Sequence, residues 1–369
     1  MQQNSHMKPR VLVIGLKGLP SFGGAATVGE NIIDQLKDTY GFTVLSVETH
    51  ASETFSLGDV RQIIFKKFPL SKLNVFVYYV KCALYALFCK KYDLVHLHHT
   101  DGAFILPLLK LRYKVVVTSH ARPQEHVKWN WWVNYFFTLN EKIAFKMADQ
   151  FTAVSKPLKE VYDQVYQREV VFIPNGVDIR TAIGKDDSVS DEEPYILFAA
   201  GRIIPSKGLH ILLRTLQAMD FKTKIKVVGN LEQIPAYKRQ ILSLSEGLNV
   251  EFVGLFKNKV ALLNLVANAQ LFVYPTLYEA MSIMLLEAAS VKVPIICSDI
   301  PANTAVFSNE EVSLFVSEDM DDLQHKILYF YGHKSEAFHK AQKAFEKLEK
   351  SHSWATIANQ YKVVFASLM

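Results

Sequence analysis

The chain has 369 residues, 50% of them hydrophobic, with 41 Lys and Arg against 36 Asp and Glu. That is apolar material for about two packed domains, and it excludes a disordered or low-complexity chain. Cys82, Cys89 and Cys297 are scattered, which excludes a disulfide framework or a zinc-ligand spacing and points to reduced thiols in a cytosolic protein.

No run of about 18 uncharged apolar residues occurs, so no membrane-spanning helix is expected. The first apolar run, Val11–Leu16, is too short for the core of a secretory signal, and Met1–Met7 read as a polar tail. Charge is uneven. Residues 8–178 hold 21 Lys and Arg against 15 Asp and Glu, and residues 179–369 hold 20 against 21. A basic first half suits an anionic partner, either a phosphate-bearing acceptor or an acidic membrane surface; the alternative is a solvated surface with a mild excess. No nucleic-acid partner is expected.

In chain order, Val11–Gly15, Phe42–Val47, Leu94–Leu97, Lys114–Thr118, Gln150–Val154 and Val170–Ile173 read as strands. Their continuous apolar character suits parallel strands buried on both faces. Val28–Leu36, Val75–Cys89, Leu139–Met147 and Leu158–Tyr166 read as helices between them. The second half repeats this grammar. Tyr195–Ala200, Lys224–Gly229, Val250–Val253, Leu271–Tyr274, Pro294–Cys297 and Ser313–Val316 are expected strands, with helices at Leu209–Met219, Pro235–Leu244, Lys259–Asn268 and Ile283–Val291. Such alternation predicts an α/β chain with a doubly wound parallel sheet in each half. The acidic, apolar-poor stretch 179–193 reads as a linker between a first domain, 8–178, and a second, 194–350. A last helix, about Trp354–Leu368 within 351–369, is expected to pack back on the first domain.

Ligands of open α/β sheets bind beyond the carboxyl ends of the strands, so the loops there carry the functional reading. After the first strand, Gly15-Leu-Lys-Gly18 leads to Gly23-Gly24 and a helix start, a place where backbone can approach phosphate; the GxGxxG spacing of dinucleotide enzymes is absent. After the first strand of the second half, Arg202 and Lys207 put two cations in one strand–helix loop. The most specific stretch runs from Tyr274 through Glu279 to Ser282 and Glu287. A strand ends near Tyr274 and a helix starts near Ser282, so free amides at Ser282, Ile283 and Met284 would face a diphosphate. Glu287 lies about 7–8 Å farther along the helix axis, about the reach from a diphosphate to the ribose of the same nucleotide. Its apolar neighbours imply burial, and a buried carboxylate needs a partner.

Gly201-Arg202 with Lys207-Gly208, then Glu279 and Glu287 separated by seven residues, preceded by Pro174-Asn-Gly-Val-Asp178, resemble the signature of family 4 retaining glycosyltransferases over nearly the whole chain. The resemblance implies a GT-B fold, two Rossmann-like doubly wound domains facing a central cleft. It implies a nucleotide-sugar donor, UDP- or GDP-linked, with no cofactor and no metal, and a glycan or lipid-linked acceptor in envelope or exopolysaccharide synthesis. Gly23 and Gly24 match the glycine pair near the donor diphosphate. His120 matches the histidine beside the donor sugar. Arg202 and Lys207 match the cations on the diphosphate, Glu279 the carboxylate on the donor sugar, and Glu287 the one on the ribose. Ala280-Met281-Ser282 depart from the usual Gly-Phe-Gly, putting side chains into a loop whose backbone approaches the donor.

Other signals read differently. His96-Leu-His98-His99 follows a strand and invites a metal; with side chains alternating along a strand and only Asp101 nearby, it reads as cleft lining. Asp319-Met-Asp321 reads as a helix cap rather than a metal motif. Phe65–Tyr92, apolar and aromatic with Lys66, Lys67, Lys90 and Lys91 at its ends, fits either peripheral membrane contact at the inner face of the cell membrane or a core helix with snorkelling lysines. Lys128–Trp132 fits acceptor stacking, a lipid interface or burial against the first sheet. Two rival functions remain at this stage. One is an NAD-dependent oxidoreductase, suggested by Glu48 at the end of the second strand; the other is a non-catalytic GT-B binding subunit.

Overall fold

A computed structural model describes residues 8–369 except 22, 53, 71–72, 90–91, 123, 125–130, 180–192 and 257. The expected linker at 179–193 therefore lies almost wholly outside the described residues, as do positions 128–130 of the tryptophan-rich stretch. The chain divides into two compact units, residues 1–175 with 354–369, and residues 176–353. The boundary thus falls between Asn175 and Gly176 rather than after Asp178.

Among the described residues the first unit holds seven strands: β1 (Arg10–Lys17), β2 (Gly41–Val47), β3 (Arg61–Phe65), β4 (Leu94–His98), β5 (Lys114–Ser119), β6 (Gln150–Ala153) and β7 (Val171–Phe172). Their order is β3-β2-β1-β4-β5-β6-β7, all pairs parallel. The helices are α1 (Gly24–Leu36), α2 (Asn74–Phe88), α3 (Leu106–Leu109), α4 (Trp131–Met147) and α5 (Lys156–Tyr166), with a 3₁₀ segment Thr100–Ile105 leading into α3. The chain starts outward from β1 on one side and from β4 on the other, so ligand-facing loops gather where the order reverses. Strands β1 and β5 are buried almost end to end (Val11–Ile14, Val115–Ser119), as two-sided coverage requires. Each fully buried Leu, Ile or Phe stabilises the fold by about 1.5–3 kcal/mol. Edge strand β3, half-exposed along Gln62–Phe65, lacks this apolar signature, and no strand was expected there.

The second unit repeats the design with β8 (Tyr195–Arg202), β9 (Lys224–Asn230), β10 (Val250–Gly254), β11 (Leu271–Tyr274), β12 (Ile295–Ser298) and β13 (Ser313–Phe315), in the order β10-β9-β8-β11-β12-β13. These pairs are parallel too. Its helices are α6 (Leu209–Ala218), α7 (Pro235–Leu244), α8 (Lys259–Ala267), α9 (Ile283–Ser290), α10 (Pro301–Thr304), α11 (Met320–Gly332) and α12 (Lys334–Ser351). Ile196, Phe198, Leu212, Leu216, Ile225 and Val273 form the centre of its core. Helix α13 (Trp354–Ala366) belongs to the first unit: the Phe365 ring meets Tyr40 edge-on at 5.6 Å, and Tyr361 lies 5.5 Å from His96. Where the chain leaves the second unit, Val177 N donates to His352 O at 2.8 Å, pairing the two passing segments.

Candidate active site

In the second unit, β8 ends at the exposed Arg202, and a 3₁₀ turn, Pro205–Lys207, passes into α6 through Gly208. Gly208 has φ +72°, and a Cβ there would stand 1.7 Å from the Pro275 carbonyl oxygen. Only glycine lets the loop after β8 approach the loop after β11 this closely. Two hydrogen bonds then fasten the loops: Leu277 N donates to Ser206 O at 2.8 Å, and Thr276 Oγ1 to the same oxygen at 3.0 Å. Asn303 Nδ2 holds Ser298 O at 2.9 Å, and Ser298 Oγ donates to Thr276 O at 2.5 Å, so the end of β12 braces the same loop.

This bracing sets Lys207 beside Glu279. Their side chains, 17% and 14% exposed, form an ion pair through Glu279 Oε1. The same oxygen accepts from the Tyr274 hydroxyl at 2.5 Å, and that hydroxyl accepts from Ser282 Oγ at 2.9 Å. Ser282 caps α9 by accepting from Leu285 N at 3.2 Å. A continuous polar chain thus runs from the Lys207 ammonium to the start of α9. Burial, then the Glu279 carboxylate, push the Tyr274 phenol well above its ordinary range, so it stays protonated and donates. Little water reaches this chain, which strengthens its electrostatics relative to bulk solvent.

At the start of α9 the Leu285 amide is taken by Ser282, and among the described residues the Ile283 and Met284 amides have no acceptor. The positive end of the helix dipole is therefore open at two amides. Ala280-Met281-Ser282 crowds this loop less than the sequence implies: Met281 is buried, and Ser282 is spent on the cap. Farther along α9, Glu287 is buried, and its Oε1 lies 3.0 Å from Lys259 Nζ of α8. The expected partner for that carboxylate is thus a lysine one helix away.

In the first unit, Gly15 has φ +101°, and a Cβ there would meet His98 O at 2.1 Å; its amide donates to the Tyr78 hydroxyl at 3.0 Å. Gly23 and Gly24 are exposed at the start of α1, Gly23 as its cap residue with open space where a side chain would stand. His120 follows β5. The register that pairs His98 with Thr118 brings His98 Nδ1 to 3.0 Å from His120 Nε2. Correcting the alternation reading, His96 and His98 are two residues apart and share a face, with rings 4.0 Å apart; His96 Nε2 bonds Thr118 Oγ1 at 2.8 Å. Burial first, and mutual repulsion second, depress His98 and His120 well below the usual imidazole range and His96 to about 3. The rings are neutral, so one donates and the other accepts across the His98–His120 bond. Among the described residues no three His, Cys, Asp or Glu side chains are grouped to hold a metal ion. Asp319 caps α11, accepting from Asp321 N at 3.0 Å and Asp322 N at 2.9 Å.

Four features escaped the sequence reading. Tyr274 links Glu279 to Ser282, Lys259 holds Glu287, and His98 holds His120. The fourth is Glu141, fully buried on α4, which accepts from Arg122 Nε at 3.2 Å, Arg122 Nη2 at 3.1 Å and Tyr166 Oη at 2.8 Å. Arg122 stands two residues beyond His120, so this cluster anchors the loop after β5. His98 was the one within reach, since it ends β4 and His120 follows β5, the neighbouring strand.

Comparison with known proteins agrees with this architecture. Residues 22–181 match the family model Glycosyltransferase Family 4, and residues 182–351 match Glycosyl transferases group 1. An uncharacterized 41.2 kDa protein in the cps region of Klebsiella pneumoniae is 24% identical over 92% of this chain and 97% of its own length. The O-antigen chain mannosyltransferase RfbU of Salmonella typhimurium is 24% identical over 76% of this chain and 73% of its own. Sucrose-phosphate synthase from Thermosynechococcus elongatus superimposes with a TM-score of 0.84 at 19% identity, covering 98% of this chain and 99% of that one. Anabaena HepE, solved with UDP and glucose, superimposes at 0.79 and 17% identity, covering 97% and 100%. The oxidoreductase alternative falls with these matches. With one family model on each half and a parallel Rossmann-like sheet under each, the chain belongs to the family 4 type of GT-B glycosyltransferases.

Proposed function

We propose that the protein is a retaining enzyme that moves a sugar from a UDP- or GDP-sugar to a glycan or lipid-linked acceptor. The observation that carries this is the chain Lys207–Glu279–Tyr274–Ser282, which ends at the two open amides of α9, with Glu287 farther along the same helix. Arg202, Lys207 and the Ile283 and Met284 amides bind the diphosphate, and Glu287 takes the ribose hydroxyls. Glu279 holds the donor sugar; for His120 and Gly23-Gly24 of the first unit, roles at the donor sugar and phosphates rest on the family likeness alone. The acceptor hydroxyl attacks the anomeric carbon from the face the leaving group departs. The bond from that carbon to the diphosphate oxygen breaks, and this oxygen takes the acceptor proton. Charge that develops on the phosphate meets protein cations and amides already in place, so the reaction asks for no metal or cofactor.

The UDP and glucose bound in the HepE structure support a nucleotide-sugar donor. The O-antigen name of the Salmonella relative supports an envelope glycan as product; synthesis on the cytoplasmic side, at the membrane's inner face, is part of the proposal. A panel of UDP-, GDP- and ADP-sugars, scored for released nucleotide with and without lipid-linked acceptors, tests the proposal. Release from one UDP- or GDP-sugar, enhanced by acceptor, is expected. Nucleotide binding with no release or transfer from any donor would favour a binding subunit instead.

A further inference from the structure

Helix α4 buries Asn140, Glu141, Ala144 and Phe145 in its second half, whereas Trp132, Tyr135, Phe136 and Leu139 of its first half, spaced as one helical stripe, are exposed. Trp131 and Trp132 are 63% and 65% exposed. Helix α2 is apolar on both sides: Tyr79, Cys82, Ala83 and Ala86 are buried, while Phe76, Leu84 and Phe88 lie on the outer side, Phe88 at 83% exposure. The two stripes join. The Phe76 ring stacks on Phe104 of the 3₁₀ segment at 4.8 Å, and Phe104 contacts Phe136 of α4 at 6.1 Å. Leu108 and Leu111, in and just after α3, are exposed as well. A soluble monomer rarely leaves so many large apolar side chains together in water.

The surrounding charge names the partner. Residues 61–146 contain 14 Lys and Arg but four acids. Asp101 accepts from the Tyr79 hydroxyl, Glu141 is buried against Arg122, and Asp93 accepts from Arg10 N, so these carboxylates are engaged within the fold; Glu125 lies outside the described residues. Lys66, Lys67, Arg112, Lys142 and Lys146 are exposed. We infer that the joined face of α2 and α4 docks on a bilayer carrying anionic lipid, its aromatic rings entering the interface and its cations meeting the headgroups. Tryptophan suits that depth, with an apolar ring and a polar N–H. No helix among the described residues is long and apolar enough to cross a membrane, so the contact is superficial. Such docking deepens the acceptor reading above, since a lipid-linked acceptor is met at a membrane. Vesicle binding is measured without donor or acceptor, so the two readings fail separately.

The test is flotation of the full chain with vesicles of phosphatidylcholine alone or mixed with phosphatidylglycerol. Binding is expected only to the anionic vesicles and weakens in high salt. A Phe88→Ser, Trp131→Ser, Trp132→Ser variant should lose about ten-fold or more in vesicle affinity, with its Tm and its response to nucleotide unchanged. Val363→Ser, an exposed apolar residue on α13 away from this face, should bind as the parent does. No flotation of the parent with anionic vesicles overturns the inference, as does equal loss in both variants. A concentration-dependent dimer that the triple variant abolishes, without lipid binding, would assign the face to a second copy of the chain and overturn it equally.

Discussion

The Lys207 ammonium and the Glu279 carboxylate meet in an ion pair although the residues come from different strand–helix loops, and the shared Glu279 Oε1 also accepts the Tyr274 hydroxyl at 2.5 Å. The pair holds a cation in place, and in the proposed mechanism Tyr274 keeps the carboxylate satisfied when the lysine turns to a phosphate. Lys207→Ala should therefore fold, with Tm close to the parent's, yet lose about 10²-fold or more in turnover, as other charge-stabilising groups do. Measured kcat with the best donor from the panel checks this; parental turnover would remove Lys207 from the mechanism.

Glu287 stands 3.0 Å from Lys259 and is largely shielded from solvent. A ribose that donates to this carboxylate makes a charge-assisted bond worth about 1.5–3 kcal/mol. Glu287→Gln should raise KM for the donor by about ten-fold or more while changing kcat less. A larger loss in kcat than in KM would place Glu287 at the reacting centre instead of the ribose.

The close approach at Gly208 leads to a stability prediction. Gly208→Ala sets a Cβ 1.7 Å from Pro275 O at φ +72°, so the two loops must part. Destabilisation of about 2 kcal/mol or more is expected in urea unfolding, from backbone strain and the lost loop contacts. Gly201→Ala, with no atom within 4 Å of the added Cβ, should unfold like the parent.

The α/β grammar was legible because parallel strands buried on both faces advertise themselves as unbroken apolar runs; β1 and β11 show it best. Edge strand β3 was missed because one side of it faces water and its sequence is polar at the start. The first half of α4 was missed because its exposed side carries the aromatic residues Trp131, Trp132, Tyr135 and Phe136, so no polar face sets off an apolar stripe. Arg202, Lys207, Glu279 and Glu287 were singled out from strand-end position and family likeness. Their partners Tyr274 and Lys259 were not, since each pairing depends on how one element is turned against the next, which no local spacing encodes.

The histidine cluster makes stability depend on pH. His96 and His99 are held neutral by burial, their pKa values lowered from 6.5 to about 3, and His98 and His120 are lowered as well. In the unfolded chain these rings take up protons below about 6.5. Stability is thus complete above that pH and drains as pH falls towards 3, by at most about 1.4 kcal/mol per pH unit for each ring. The urea midpoint should drop between neutral pH and about pH 5, and His96→Gln should reduce the drop. A midpoint rising on acidification would contradict the neutral assignment.

The central claim is that the second unit grips a nucleoside diphosphate with Arg202, Lys207 and the α9 amides. Calorimetric titration of UDP and GDP into the parent and into an Arg202→Ala, Lys207→Ala variant tests it most directly. At least one nucleotide should bind the parent, and the variant should bind it about 10²-fold more weakly, with Tm unchanged. Failure of both nucleotides to bind the parent, or equal affinity in the two proteins, would contradict the account.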